Sequence, residues 1–369
     1  MKLLLIIWYN IEKNVLCAWR ALKNIGFDLD FYPLYKYYND IHDSRDDYVD
    51  HFITYINESN PDIILWWYFG IPTEDMEKVI KHSTNTKNFM FNWDEPHNWS
   101  SWDIKNKAKF WDAVFVTCAQ KLDDYEINGS GKAFLQFPGY DPTIHYPILD
   151  DKDEDIDRYE CDISFVCTNL YEDNQKYPGQ YINRKELVDT IYENQEKYGY
   201  KFNIYGSTKF ADIYPKSYKG YLDYEDHLQL FNYSKINICT HVQCDTYKYL
   251  NERTIMILGC GGLLVIDKVD GIEELIDPNK ECIILDKTNY MDQILDILRN
   301  YDKYYIYRFN AYQKSKLYTW DEWAKNIYYY GVKLIFGGNE NMNTRHPKFD
   351  NSQDPIDIHL NILNKMKYK

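Results

Sequence analysis

The 369-residue chain predicts an α/β protein with two halves, each built on a parallel sheet. Three observations predict it. Short apolar or aromatic runs alternate with longer helical ones along most of the chain. The acidic, aperiodic run LDDKDEDIDRY at 149–159 separates two series of that alternation. The stretch YLNERTIMILGCGGLLVIDKVDGIEELID at 249–277 reads in succession as a helix, a glycine stop and a buried strand.

The apolar start at 3–8 is far too short for a membrane span and has no small-residue cleavage site after it, so it reads as a first strand. A helix over 15–24, Gly26 and a strand over 28–32 complete a βαβ opening. Helices near 48–57 and 74–82 alternate with strands over 62–68 and 88–93, and strands over 112–117 and 132–137 finish this half. In an open parallel sheet the ligand sits beyond the carboxyl ends of the strands. Those ends read Trp8-Tyr9-Asn10, Trp67-Tyr68-Phe69-Gly70 and Asn92-Trp93-Asp94-Glu95-Pro96-His97.

Aromatic rings and carboxylates gathered on one edge suit sugars, whose C–H faces stack on rings while carboxylates take the hydroxyls. In so aromatic a chain the same rings also serve as core. Asp94, Glu95 and His97 place three ionisable groups within four residues just after a buried strand, and Pro96 holds Glu95 extended. They are the candidate catalytic residues, one of them a base for an acceptor hydroxyl. The alternative is that they cap a helix beginning near Trp99.

The second half restarts with a strand over 162–167, followed by Thr168-Asn169 and a loop containing Pro178-Gly179. A helix from Arg184 to about 197 leads to a strand over 201–205 that ends at Gly206. Beyond Tyr218-Lys219-Gly220-Tyr221 and Asp223-Tyr224-Glu225-Asp226 comes a helix to about 233, then a strand over 235–240 with His241 directly after it. That histidine is either a ligand or an ordinary loop residue near a helix end. In the 249–277 stretch Asn251 is an N-cap, and Gly259, Gly261 and Gly262 end the helix ahead of a strand over 263–266. A helix start with Arg253 two residues after the cap suits a phosphate, although an ordinary αβ unit has the same outline. A strand over 282–285, a helix over 291–300 and an amphipathic run over 319–336 follow, and a polar tail with a possible short helix closes the chain.

A net charge of −15 argues against nucleic acid or an anionic membrane as the main partner, so any phosphate site is a local exception. The eight cysteines, among them Cys17, Cys118, Cys167, Cys239 and Cys260, lie mostly in apolar runs without C-x-x-C spacing. They read as reduced thiols of a cytoplasmic protein with no zinc site. The D-x-D spacings in 149–159 are read as a solvated linker rather than a metal site. P-loop, G-x-G-x-x-G and G-x-S-x-G patterns are absent.

R-x-x-x-x-L-x-C-G-G-x-x-x-x-D from Arg253, followed by G-I-E-E-L-I-D, resembles the C-terminal half of GT-B glycosyltransferases, closest to the CgeB-like group and its family 4 relatives. The resemblance covers about 112–335. It implies a GT-B fold of two Rossmann-like domains with sheets facing a central cleft: 1–148 on the acceptor side, a linker at 149–159, a nucleotide-sugar domain at 160–318, a crossover helix over 319–336 with Tyr318-Thr319-Trp320-Asp321 at its start, and a tail at 337–369. The implied donor-binding residues are Thr168, Arg184, Tyr205, Gly206, Tyr221, His241, Lys248, Asn251, Arg253 and Glu273.

Two departures stand out. Cys167-Thr168 replaces a Gly-Ser pair, which should make the backbone approach less close. Met256 occupies the position of the ribose-binding glutamate, and Lys248 that of its partner glutamate eight positions earlier. The resemblance implies metal-independent transfer of a sugar from a nucleotide donor, UDP- or GDP-linked, to a hydroxyl on a glycan or other acceptor, with no separate cofactor. A sugar-nucleotide 2-epimerase of the same fold and a non-catalytic binding remnant are the alternatives, the latter favoured by Met256.

Overall fold

Two inner strands of the first sheet, KLLLII at 2–7 and IILW at 63–66, are almost wholly apolar, the pattern of parallel strands buried on both faces. In the computed structural model, which describes residues 1–9, 13–38, 45–95, 97–149 and 156–332, β1 (Lys2–Ile7) is followed by α1 (Lys13–Asn24), β2 (Asp28–Pro33), α2 (Leu34–Lys36) and α3 (Arg45–Ser59). Next come β3 (Ile63–Trp66), α4 (Thr73–His82), β4 (Lys87–Asn92), α5 (Ile104–Lys107), β5 (Ala113–Val116), α6 (Leu122–Ile127) and β6 (Lys132–Leu135). α1 buries Val15, Cys17, Ala18, Ala21 and Leu22, the inward stripe of a helix lying on a sheet. The strands run parallel in the order β2-β1-β3-β4-β5-β6. Strand order therefore reverses between β1 and β3, which is where this architecture opens a crevice.

Asn10, Pro96, positions 150–155 of the acidic run and everything from 333 onward lie outside the described residues, including the end of the 319–336 run and the whole 337–369 tail.

The second sheet follows α7 (Ile156–Tyr159). Its elements are β7 (Cys161–Cys167), α8 (Arg184–Tyr198), β8 (Phe202–Gly206), α9 (Phe210–Ile213), α10 (His227–Tyr233), β9 (Ser234–Cys239), α11 (Glu252–Gly259), β10 (Leu264–Ile266), β11 (Ile283–Ile284), α12 (Tyr290–Arg299) and α13 (Tyr305–Ser315). The parallel order is β11-β10-β9-β7-β8, with the reversal between β7 and β9. Asn183 caps α8, its Oδ1 accepting from the Glu186 N–H at 2.9 Å, and Gly199 at φ 70° ends that helix. Gly206 is obligatory at the end of β8: it has φ 136°, and an added Cβ would lie 1.7 Å from the Cys167 carbonyl oxygen.

Residues 1–139 form one compact unit with the described residues 320–332, and Tyr140–Thr319 form the other. The second unit thus begins before the acidic run, where the sequence places residues up to 148 in the first domain. The reason lies in packing. The Tyr140 ring sits against Gly259, where any Cβ would come within 2.5 Å of it, and its hydroxyl accepts from Ser315 Oγ at 3.0 Å. Further on, the Ile148 N–H donates to Asn232 Oδ1 at 2.8 Å. The acidic run is also not wholly a linker, since α7 forms within it and buries Tyr159.

The sequence does not mark α13, because the inner face of its run YIYRFNAYQKS is Tyr305, Arg308, Ala311 and Ser315, where larger aliphatic residues normally signal a helix. Past Thr319 the chain forms α14 (Trp320–Asn326) and a wider-turned continuation, Ile327–Val332. α14 lies on α1, and the Trp320 and Trp323 rings sit 5.8 and 5.7 Å from that of Trp67. No described helix is long and apolar enough to cross a membrane, and all eight cysteines are buried and unbridged.

Candidate functional site

At the strand-order reversal of the first sheet, the ends of β1, β3 and β4 open onto a pocket of about 320 Å³. Its walls are the rings of Trp8, Trp67, Tyr68, Trp93 and Trp102, and among the described residues lining it Asp94 is the one carboxylate, with no Lys, Arg or His. The rings brace one another. Trp8 stacks on Tyr35 at 4.1 Å and meets Tyr68 edge-on at 4.3 Å, and Tyr68 meets Trp102 edge-on at 5.7 Å. Lys107, 2% exposed, ties two of these loops together by donating to the carbonyls of Phe69 at 3.0 Å and Trp102 at 2.6 Å. Burial lowers its pKa to about 8.

The three candidates in the following loop are separated by the fold. Asp94 reaches the pocket and stays solvent-accessible, but the apolar mass around it raises its pKa through desolvation. Glu95 is corrected as a pocket residue. It is fully buried, and its Oε2 accepts from Tyr125 Oη at 2.6 Å and Asn92 Nδ2 at 2.8 Å. Its pKa is pushed up to about 7 by burial, which outweighs those hydrogen bonds. His97 is exposed, does not line the pocket, and closes the turn by donating its N–H to the Asp94 carbonyl at 2.8 Å. The buried Asn92–Asn98 pair, linked at 2.8 and 2.9 Å, completes the loop's internal scaffold. The capping alternative is met only in part: residues 97–103 form turns, and the helix starts at Ile104.

The second cluster lies at the carboxyl edge of the other sheet, around its own reversal between β7 and β9. Asn251 caps α11, its Oδ1 accepting from the Thr254 N–H at 2.9 Å. Arg253 projects from the first turn and donates through Nη1 to the Val166 carbonyl near the end of β7. His241, just past β9, is 1% exposed. It forms a 2.7 Å hydrogen bond through Nδ1 to Asp267 Oδ1, and its Nε2 is buried without a partner. Asp267 ends the R-x-x-x-x-L-x-C-G-G-x-x-x-x-D motif. It also accepts from the His241 backbone N–H at 2.8 Å and from Cys244 Sγ at 3.1 Å. In the sequence this aspartate is visible only as the last position of the motif, with no signal of a role.

Several expected donor contacts are engaged elsewhere. Arg184 is 3% exposed and spans the strand-order reversal, donating to Thr240 Oγ1 at 2.8 Å, the Thr240 carbonyl at 2.8 Å and the Asn169 carbonyl at 3.0 Å. Tyr171 covers its guanidinium face at 4.8 Å. It therefore clamps the site's walls rather than offering a free charge. Burial and the neighbouring Arg253 lower its pKa. Tyr205 is a core residue with its hydroxyl on the Arg158 carbonyl at 3.3 Å. Lys248, at φ 56°, is paired with Glu274 at 2.6 Å. The acidic contact in that region belongs to Glu274, while Glu273 beside it is exposed. Thr168 and Tyr221 are exposed, the latter by 70%. Met256 is 4% exposed inside α11.

A cavity of about 730 Å³ lies at the opposite, amino-terminal edge of the second sheet, lined in part by Cys161, Asp162, Lys201, Ser234 and Lys235. Within it Asp162 accepts from Lys235 Nζ at 2.6 Å and from the Lys201 N–H at 2.8 Å. None of the candidate residues reaches it. Among the described residues no group of three or more His, Cys, Asp or Glu is arranged to hold a metal ion.

Two parallel-strand α/β units, each with a strand-order reversal, give the chain the GT-B fold. Residues 184–328 match the family model described as "Glycosyl transferase-like". Sucrose-phosphate synthase from Thermosynechococcus elongatus superimposes with a TM-score of 0.63 at 13% identity, covering 91% of this chain and 99% of that one. HepE from Anabaena, solved in complex with UDP and glucose, gives 0.61 at 12% identity over 91% and 100% of the two chains. A glycosyltransferase from Rickettsia africae gives 0.61 at 12% over 91% and 99%. No curated protein matches the sequence.

Proposed function

We propose that the protein is a glycosyltransferase that moves a sugar from a nucleotide-sugar donor, UDP-linked, to an acceptor hydroxyl without a metal ion. The observation that carries this reading is the family match over 184–328, because that segment contains His241, Asn251, Arg253 and Asp267, the residues gathered at the carboxyl edge of the second sheet. The UDP bound in the similarly folded HepE supports the choice of nucleotide.

As the glycosidic bond breaks, negative charge grows on the departing diphosphate. The N-terminus of α11 and the guanidinium of Arg253 would stabilise it, the task a metal performs elsewhere. His241 is held in one orientation by Asp267, with Nε2 left as its remaining hydrogen-bonding atom. Asp94 serves as base toward the acceptor hydroxyl, and its raised pKa makes it a better proton acceptor than an ordinary aspartate.

The test is UDP release from UDP-sugars in the presence of a chelator, with and without candidate acceptors. Acceptor-stimulated release supports the proposal, and strict dependence on added magnesium or manganese contradicts its metal-free part. One observation favours a second reading. Met256, buried within α11, supplies no carboxylate for the donor ribose, as in a binding protein that has lost turnover. Saturable UDP-sugar binding with no release under any acceptor would select that reading.

A further inference from the structure

The aromatic pocket of the first unit carries information about the acceptor that the transferase reading leaves open. Its volume of about 320 Å³ is at the small end of the range of roughly 300–1,000 Å³ that small-molecule sites occupy. That is room for a ring-sized unit rather than an extended chain. Four of its walls are tryptophans, and an indole side chain carries an apolar face together with one N–H donor. Tyr68 adds a hydroxyl. A saturated ring bearing hydroxyls uses both features at once, with C–H faces on the indoles and hydroxyls on the donors and on Asp94. A flat hydrocarbon would use only the faces.

The electrostatics narrow the class further. Among the described residues lining the pocket there is no Lys, Arg or His, and the one charge is the carboxylate of Asp94. Lys107, in the structure that supports the pocket loops, is buried and donates to two backbone carbonyls, so it has little reach toward a ligand. An anionic ligand would meet a like charge with no cation among the described lining residues to offset it. We infer that the acceptor hydroxyl is carried by an uncharged glycosyl ring held in this pocket, and that phosphorylated or carboxylated sugars are excluded from it. This rests on the transferase reading and adds the chemical class of the acceptor.

Equilibrium binding to the full chain without donor tests it, followed by intrinsic tryptophan fluorescence and saturation-transfer NMR. The probes are methyl hexosides, the matching 6-phosphates and uronates, and phenol. Neutral hexosides should bind saturably, and their anionic counterparts at least about tenfold more weakly. Trp8→Ala should weaken hexoside binding roughly three- to tenfold, and because Trp8 is 39% exposed the core should survive its loss, as circular dichroism can verify. Asp94→Asn should shrink the penalty against anions, which a purely steric exclusion would not do.

Anionic sugars binding as tightly as neutral ones would overturn the inference, and so would phenol binding where no hexoside does. Donor hydrolysis without acceptor reads the parent proposal separately. A protein that discriminates among hexosides as described but neither binds nor hydrolyses UDP-sugars keeps the pocket assignment and loses the transferase reading.

Discussion

Asp94 and Glu95 are adjacent carboxylates that the fold sends to opposite environments, one to the aromatic pocket and one to the interior beside Asn92 and Tyr125. Asp94→Asn should lower the catalytic rate by about 10²–10⁴ while leaving UDP affinity unchanged, measured by steady-state kinetics alongside calorimetric binding. Near-normal turnover would remove Asp94 as the base. Glu95 makes a different prediction. Its pKa in the folded chain, about 7, exceeds its ordinary 4.5, so between those values the native state holds a proton that the unfolded state has released. Stability should therefore fall as pH rises through that window, by on the order of 3 kcal/mol for this group alone. Glu95→Gln should flatten the decline, which denaturant titrations at pH 5 and pH 7 would reveal; an unchanged slope would place the shift elsewhere. The sequence showed three ionisable groups after a strand. It carried no sign of which would turn inward, because that is decided by Tyr125, thirty residues downstream.

The two arginines of the second sheet show the same limit at the level of elements. Arg184 opens α8 and Arg253 sits in the first turn of α11, so the local signal for a phosphate site is alike in both. What separates them is long-range. Arg184 is surrounded by Thr240 and Asn169 from the strand ends on either side of the reversal, and removing it would strand buried acceptors. Arg184→Ala should cost about 2–4 kcal/mol of folding stability. Arg253 makes one hydrogen bond among the described residues, to the Val166 carbonyl, and is less buried. Arg253→Ala should keep the fold and lose about 1.5–3 kcal/mol of UDP binding. Denaturation midpoints and calorimetric titrations with UDP on both variants check the pair, and reversed effects would exchange the roles assigned here. Helix caps and glycine stops such as Asn251 and Gly199 were legible, since each acts within a few residues. Arg184's partner Thr240, 56 residues away, was not.

At the scale of the whole chain, the alternation of strands and helices was enough to read two parallel sheets, and with them the strand ends that carry both candidate sites. The placement of Tyr140 to Leu149 with the second unit was not readable, because it depends on single contacts to Gly259, Asn232 and Ser315 far along the sequence. The chain's net charge of −15 gives the last prediction its edge. A protein this acidic repels a nucleotide diphosphate in general, so binding requires a concentrated local source of positive potential, and the α11 N-terminus with Arg253 supplies one without a divalent ion. UDP at about a hundred times its dissociation constant should therefore add roughly 2.7 kcal/mol of stability in the presence of a chelator. Raising ionic strength should weaken the effect only modestly if the charges are partly buried. Hydrogen exchange should slow most at 166–169 and 240–254, the strand ends and helix start around Arg253 and His241, with little change at 67–102. A thermal shift that vanishes with chelator and returns with magnesium would assign the positive potential to a bound metal instead. Protection centred on the aromatic pocket would move the nucleotide to the other sheet.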